Sequence, residues 1–419
     1  MSAKNIRFFL IIFIISYVTN NIFGVIYDNR FFRVLNTPFA RRNIPCTADE
    51  LGPYTLRASR VRGEGFFLTA SKAFGSDADI GIPEIFGPFN QRLLGEGIEC
   101  LGLENPLPPE LRDRNILWGI DGKLQGEGIE FMWDQHLYGY LYGGIYFFAA
   151  HIVSRQEFML NEVSLQENEP IIAERALRRM FDLVGIESVK SSEIGFSDIN
   201  CYLRVGNVWD YALKFRRIDA GLSLGVLIPS GVTRSISNPA SIPFGGNGHW
   251  GVYGRIDTEF ELKEDWIAGV WLLAIQRLKK TQLQRIPIKD EQPLYGAVVG
   301  RAEVDPGITV VFQPYVRLDH IRDGLGAMVQ LFVIWHSKDA WRDARQDMNP
   351  PATFETNRQK SDWTVEYAKL NVFYDFDKVD IFTEIRPQFS FFWEIPVQYF
   401  ASHGSVKTNR VGVSFQFNF

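Results

Sequence analysis

Arg410-Val411-Gly412-Val413-Ser414-Phe415-Gln416-Phe417-Asn418-Phe419 alternates strictly, with polar or small residues at even positions and apolar residues at odd ones. A period of two puts the odd side chains on one face of a strand. In water, five aromatic or branched residues on the open face of a terminal strand invite aggregation. In lipid that face is what a barrel strand must present, while the even positions meet a wet lumen. The expected fold is all-β: a transmembrane antiparallel β-barrel.

The same signature recurs upstream. In 379–394, Ile381, Thr383, Ile385, Phe389, Phe391 and Trp393 oppose Asp380, Glu384, Arg386, Gln388, Ser390 and Glu394. In 250–262, Trp250, Val252, Ile256, Phe260 and Leu262 oppose Tyr253, Arg255, Asp257, Glu259 and Glu261. In 308–319, Ile308, Val310, Phe312, Val316 and Leu318 oppose Thr309, Gln313, Tyr315, Arg317 and Asp319. In 196–205, Ile199, Cys201, Leu203 and Val205 oppose Asp198, Asn200, Tyr202 and Arg204. Segments 266–277 and 364–376 keep the pattern less cleanly, as bulged strands do.

Connections alternate in length, as they do in barrels with short periplasmic turns and long outer loops. Tight links are expected at Asp134-Gln135-His136, Lys263-Glu264-Asp265, Arg322-Asp323-Gly324 and Asp377-Lys378, and long polar segments near 229–247, 279–306, 338–361 and 395–407. Strands then fall near 54–70, 122–133, 137–150, 194–207, 213–228, 248–262, 265–278, 307–320, 325–337, 362–376, 379–394 and 408–419. That is about 12 strands, an even number with both chain ends periplasmic. A 14-strand alternative adds a pair within 71–121, where Gly95-Glu96-Gly97 echoes Gly126-Glu127-Gly128.

The 419 residues are 46% hydrophobic and 14% aromatic, yet after the first two dozen residues no apolar run approaches the ~18–20 that a spanning helix needs. A net charge of -5 with scattered Lys and Arg gives no nucleic-acid surface. Lys4 and Arg7, the apolar run Phe8–Val18 and a polar stretch closing at Gly24 read as a signal peptide over 1–24. Residues 25–53, with Pro38 and Pro45, form a periplasmic N-terminal segment or a plug, and 54–419 the barrel. Residues 170–184 read as a helix in an outer loop, either a lid over the pore or a helix packed on its own rim. Cys46, Cys100 and Cys201 leave at most one disulfide, Cys46 to Cys100, with free thiols as the other reading.

No catalytic constellation is legible. His336-Ser337 and His249 beside Asn247 lack a base, nucleophile and orienter brought together by sequence, and the Gly-Glu-Gly triplets match neither phosphate nor calcium loops. The cysteine and histidine spacings fit no metal site, and no cofactor is called for. The informative group is the lumen-facing charges: Asp198, Arg204, Arg255, Asp257, Glu259, Arg317, Asp319, Glu384, Arg386, Glu394 and Arg410. They either line a channel and orient permeating solutes or cross-brace the wall. Trp133, Tyr138, Trp209, Trp266, Trp363 and Trp393 lie near strand ends, where an interfacial girdle belongs.

Gly195-Phe196-Ser197-Asp198-Ile199, followed by Leu222-Ser223-Leu224-Gly225-Val226-Leu227-Ile228-Pro229-Ser230-Gly231, resembles the Gram-negative outer-membrane barrel family of meta-pathway phenol degradation, itself similar to long-chain fatty-acid transporters. The match covers 193–262, and the terminal strand resembles outer-membrane barrels generally. The resemblance implies a bacterial outer-membrane location, outer-membrane lipid and the barrel-assembly machinery as partners, and Phe415, Phe417 and Phe419 as the assembly signal that machinery reads. It also implies passive uptake of small solutes, hydrophobic compounds among them, as a porin-like channel or transporter. The alternative is a non-conducting adhesion or structural barrel whose long loops meet a partner.

Overall fold

The structure, a computed structural model, describes residues 29–33, 59–161, 168–376 and 386–418. Twelve strands form the wall: β1 Ser59–Ala70, β2 Leu117–Tyr138, β3 Leu141–Leu160, β4 Ile199–Asp210, β5 Arg217–Ile228, β6 Gly251–Lys263, β7 Trp266–Arg277, β8 Thr309–Arg322, β9 Leu325–His336, β10 Trp363–Asp375, β11 Arg386–Val397 and β12 Asn409–Asn418. Each pairs antiparallel with its chain neighbours, and β12 returns to β1 in a register running from Arg60↔Asn418 to Thr69↔Asn409, so no wall edge is left open. The count is twelve. The region 71–121 supplies no extra pair to the wall because Gly95-Glu96-Gly97 lies on a helix, α1 Gln91–Cys100.

The faces fall as the alternation requires. On β6, Tyr253, Arg255 and Asp257 are buried in the barrel while Ile256 is 46% exposed outside. On β12, Val411, Val413, Phe415 and Phe417 are exposed and Arg410, Ser414 and Gln416 buried. Phe67, Ile129, Leu203, Leu224, Leu272, Phe312, Val329, Leu370 and Phe391 continue this apolar belt on other strands. A continuous outer face of that kind suits hydrocarbon, and the closed ladder satisfies the backbone there.

The interior has its own periodic device. Six cross-strand partners face inward, each an aromatic ring laid over a glycine: Phe66 over Gly128, Tyr202 over Gly144, Tyr253 over Gly225, Tyr315 over Gly269, Phe373 over Gly326 and Phe392 over Gly412. One occurs in each of the successive strand pairs β1/β2, β3/β4, β5/β6, β7/β8, β9/β10 and β11/β12. A Cβ at any of these glycines would fall within 2.6 Å of the ring opposite. The missing side chain lets a large ring lie flat on the curved wall, which restores the packing that a strand glycine otherwise loses.

Asp323 (φ 40°) and Gly324 (φ 91°) turn β8 into β9 with two positive φ angles, the tight hairpin geometry that Asp-Gly favours. Glu264-Asp265 joins β6 to β7 as expected. Asp134-Gln135-His136 is not a turn: these residues continue β2, paired to Gly144, Gly143 and Tyr142 of β3, and the chain reverses at Gly139-Tyr140. Gly139 supplies the positive φ (51°) that Asp134-Gln135-His136 does not. The link at Asp377-Lys378 lies outside the described residues.

The outer loops are structured. Helix α2, Glu169–Leu183, buries Ala173, Ala176, Leu177 and Met180 against Leu94 and Ile98 of α1, and Gln91 Nε2 donates to Ala173 O at 2.8 Å. It is thus a packed element of the rim cap. The segment 279–306, expected as a polar loop, holds strands Lys280–Ile286 and Val298–Asp305, which form a small sheet with Ala340–Asp343. Trp133, Tyr138, Trp209, Trp266 and Trp393 are exposed on the outer face, as a girdle should be, but Trp363 is not among them. It points inward, stacked on His336 with ring centroids 5.3 Å apart, because Arg33 and His336 provide polar faces inside the barrel for its ring.

Candidate functional site

Lumen-facing charge is gathered into clusters. Arg410 on β12 reaches Glu64 on β1 at 2.7 Å, Glu394 on β11 at 3.6 Å and Glu130 on β2 at 3.8 Å. Lys369 on β10 lies 3.8 Å from Glu64 and 3.9 Å from Glu394, and Arg62 lies 3.5 Å from Glu130. The ring of Phe392 supports both Lys369 and Arg410. A second cluster joins Arg204 to Asp257 (2.7 Å) and Asp219 (2.8 Å), with Arg255 3.6 Å from Asp257 and donating to Ser223 Oγ at 3.0 Å. In a third, Arg317 holds Asp319 at 3.0 Å and Glu259 at 3.4 Å, and Tyr315 OH donates to Glu259 at 2.7 Å.

Asp198 interrupts the wall between Lys190–Phe196 and β4. It is fully buried, pairs with Arg277 at 2.7 Å and accepts from the Gly231 and Gly246 amides, which pins the 229–250 loop to the strand break. Each of the expected charges among the described residues is largely buried and meets an opposite charge. Glu384 and the Arg386 side chain lie outside the described residues. Sequence reading missed Glu64, Glu130 and Lys369. The signal for Glu64 was present in β1, where Arg60, Arg62 and Glu64 share one parity.

Above the charged layer, Asn29–Arg33 lie inside the barrel although they contribute no wall strand. Phe32 packs edge-on to Phe148 and Phe244, Val406 N donates to Arg30 O, Thr408 Oγ1 donates to Phe31 O, and Arg33 covers the Trp363 ring at 4.3 Å. The rest of 25–53 lies outside the described residues, as do 1–24, Cys46 and Phe419; Cys100 and Cys201 are free thiols.

Between this segment and the rim is a cavity of about 190 Å³, lined by Arg30, Phe31, Phe86, Arg234, Trp341 and Trp363 among others. Arg285 also lines it but is committed elsewhere: its guanidinium donates to Ile236 O, Val184 O, Gly185 O and Gly296 O, tying the C-terminal end of α2 to the neighbouring loops. Burial lowers the Arg234 and Arg285 guanidinium pKa values to about 10, with Glu193 partly offsetting the effect at Arg234, so both stay cationic at neutral pH.

His336 also borders the cavity, with Thr309 Oγ1 2.7 Å from Nδ1 and Asp339 Oδ1 3.0 Å from Nε2. A hydroxyl, an imidazole and a carboxylate thus stand in line. Thr309, however, is fully buried and does not line the cavity, so the hydroxyl is closed to a substrate.

The fold defines the class: an integral membrane β-barrel of twelve strands with structured outer loops, in which the described Asn29–Arg33 lie inside the wall. No protein-family model matches the chain, and no curated protein matches it. Among solved structures it is similar to the COG4313 outer membrane channel from Pseudomonas putida F1 (11% identity, 88% of this chain and 100% of that one, TM-score 0.48). It is also similar to a TodX mutant monoaromatic hydrocarbon channel (8% identity, 95% and 98%, TM-score 0.37). A Pseudomonas aeruginosa FadL homologue is a third (8% identity, 90% and 92%, TM-score 0.31). Likenesses at this level say nothing about what this chain binds.

Proposed function

We propose that this protein is an outer-membrane channel or transporter that admits small, largely apolar molecules by passive diffusion, without covalent chemistry. The observation that carries the reading is the pairing of a membrane barrel with an outer-mouth cavity floored by Asn29–Arg33, a segment outside the wall ladder. A wall closed by hydrogen bonds opens only at great cost, whereas a segment held by side-chain contacts and a few hydrogen bonds is displaced far more cheaply. The paired charges below then act as braces that keep the lumen from collapsing when the segment moves. Its partners are outer-membrane lipid, the assembly machinery and the solute itself.

Swelling of liposomes carrying the purified protein tests this. Permeability to small solutes, falling as solute size rises, is the expected result. Liposomes as tight as protein-free controls toward every solute would contradict the reading.

A further inference from the structure

The outer-mouth cavity holds more positive charge than its own carboxylates balance. Arg234 spends only Nε, which donates to Ser241 O at 3.3 Å; its two terminal amino groups have no hydrogen-bond partner among the described residues. Arg30 gives its terminal nitrogens to Lys360 O and Ser361 O, both neutral acceptors. Neither guanidinium has an ion pair among the described residues. Asp339, which also borders the cavity, is taken up by the Gly307 amide and His336.

Beyond the carbonyl oxygens, the direct contacts of these two cations are aromatic, with Asp339 and Asp362 acting on Arg30 and Glu193 on Arg234 only through the field. Phe86 lies 5.0 Å from the Arg30 guanidinium carbon and 5.3 Å from that of Arg234, and Phe31 lies 5.0 Å from Arg234. A ring face stabilises a guanidinium through its flat side and leaves the in-plane N–H fork free. The partner that matches such a fork with two parallel hydrogen bonds is a carboxylate. Trp341, Trp363 and Leu294 complete walls suited to a ring, and the space exceeds the ~150 Å³ that holds one benzene.

We propose that this cavity binds a small aromatic carboxylate, with the carboxylate on the Arg234 fork and the ring among Phe31, Phe86 and Trp341. The proposal deepens the uptake reading by naming a solute class. It is tested by binding in detergent, so its failure and a failure of permeation are separate results.

Isothermal titration of the full chain with benzoate, benzyl alcohol, acetate and inorganic phosphate decides it. Benzoate should bind one to one, and removing either its charge (benzyl alcohol) or its ring (acetate) should weaken binding about tenfold or more. Arg234→Gln should weaken benzoate by a similar factor and leave benzyl alcohol nearly unchanged, with folding confirmed by heat-modifiable gel migration. Should that variant misfold, Arg234→Lys keeps the charge without the fork and should show a smaller loss. Equal affinity for benzoate and benzyl alcohol, phosphate binding as tight as benzoate, or full benzoate affinity in a folded Arg234 variant would each overturn the proposal.

Discussion

Arg410 and Glu64 meet at 2.7 Å across the seam where the last strand closes on the first, and both are buried in the lumen. The bond ties the two ends of the barrel sequence together from inside. Removing one partner of a buried pair costs roughly 3–5 kcal/mol when the other charge is left alone, and less here because Lys369 stays 3.8 Å from Glu64 and Arg62 3.5 Å from Glu130. Arg410→Met should therefore leave Glu64 and Glu130 opposed with less cation between them and lower the urea midpoint of unfolding. Arg322→Met, on the exposed turn beside Asp323, serves as the control and should change little.

The facing assignment is tested by two chain neighbours. Ile256 looks outward and Arg255 inward. A cation at mid-bilayer on the lipid face costs roughly 2–4 kcal/mol, so Ile256→Arg should destabilise the folded barrel. Arg255→Ile removes one of two arginines from Asp257, which keeps Arg204 at 2.7 Å, so that barrel should still fold. Heat-modifiable migration after refolding compares them; equal loss in both would contradict the assignment.

Gly269 faces Tyr315, and a Cβ there would sit 2.2 Å from the ring. Gly269→Val should cost about 1–3 kcal/mol through overpacking and disturb the Tyr315 bond to Glu259. Gly254 meets no atom closer than 3.8 Å, so Gly254→Ala should be nearly neutral. Equilibrium unfolding of the pair gives the contrast.

Phe415 and Phe417 are exposed on the lipid face of β12, and we propose that they, with Phe419, are what the barrel-assembly machinery reads. Deleting Phe419 or replacing it with a charged residue should reduce the folded, heat-modifiable fraction recovered from cell envelopes while leaving refolding in detergent largely intact. Normal insertion of the truncated chain would remove the signal reading.

Wall, strand number and facing were legible because period two is a local property. Ile256 beside Arg255, or Phe415 beside Gln416, announces two media within two residues. The six ring-over-glycine pairs were not legible, since Tyr315 finds Gly269 only through a register that no single strand encodes. The mouth was hidden for a stronger reason. Arg30, Phe86 and Arg234 lie far apart in the chain and follow no period, and Trp363 has a girdle tryptophan's position near a strand end but the opposite facing. Asn29–Arg33 carry Phe31 and Phe32 between arginines, a pattern equally suited to a tail or to a lumen segment.

Single-channel recording in planar bilayers tests the central claim most directly, comparing the full chain with a Phe31→Gly/Phe32→Gly variant. Those two side chains anchor the lumen segment against Phe86, Phe148 and Phe244. The expected result is small or intermittent conductance from the full chain and larger, longer openings from the variant, with its folding unchanged. A folded variant as silent as bare lipid would contradict a passage through this barrel.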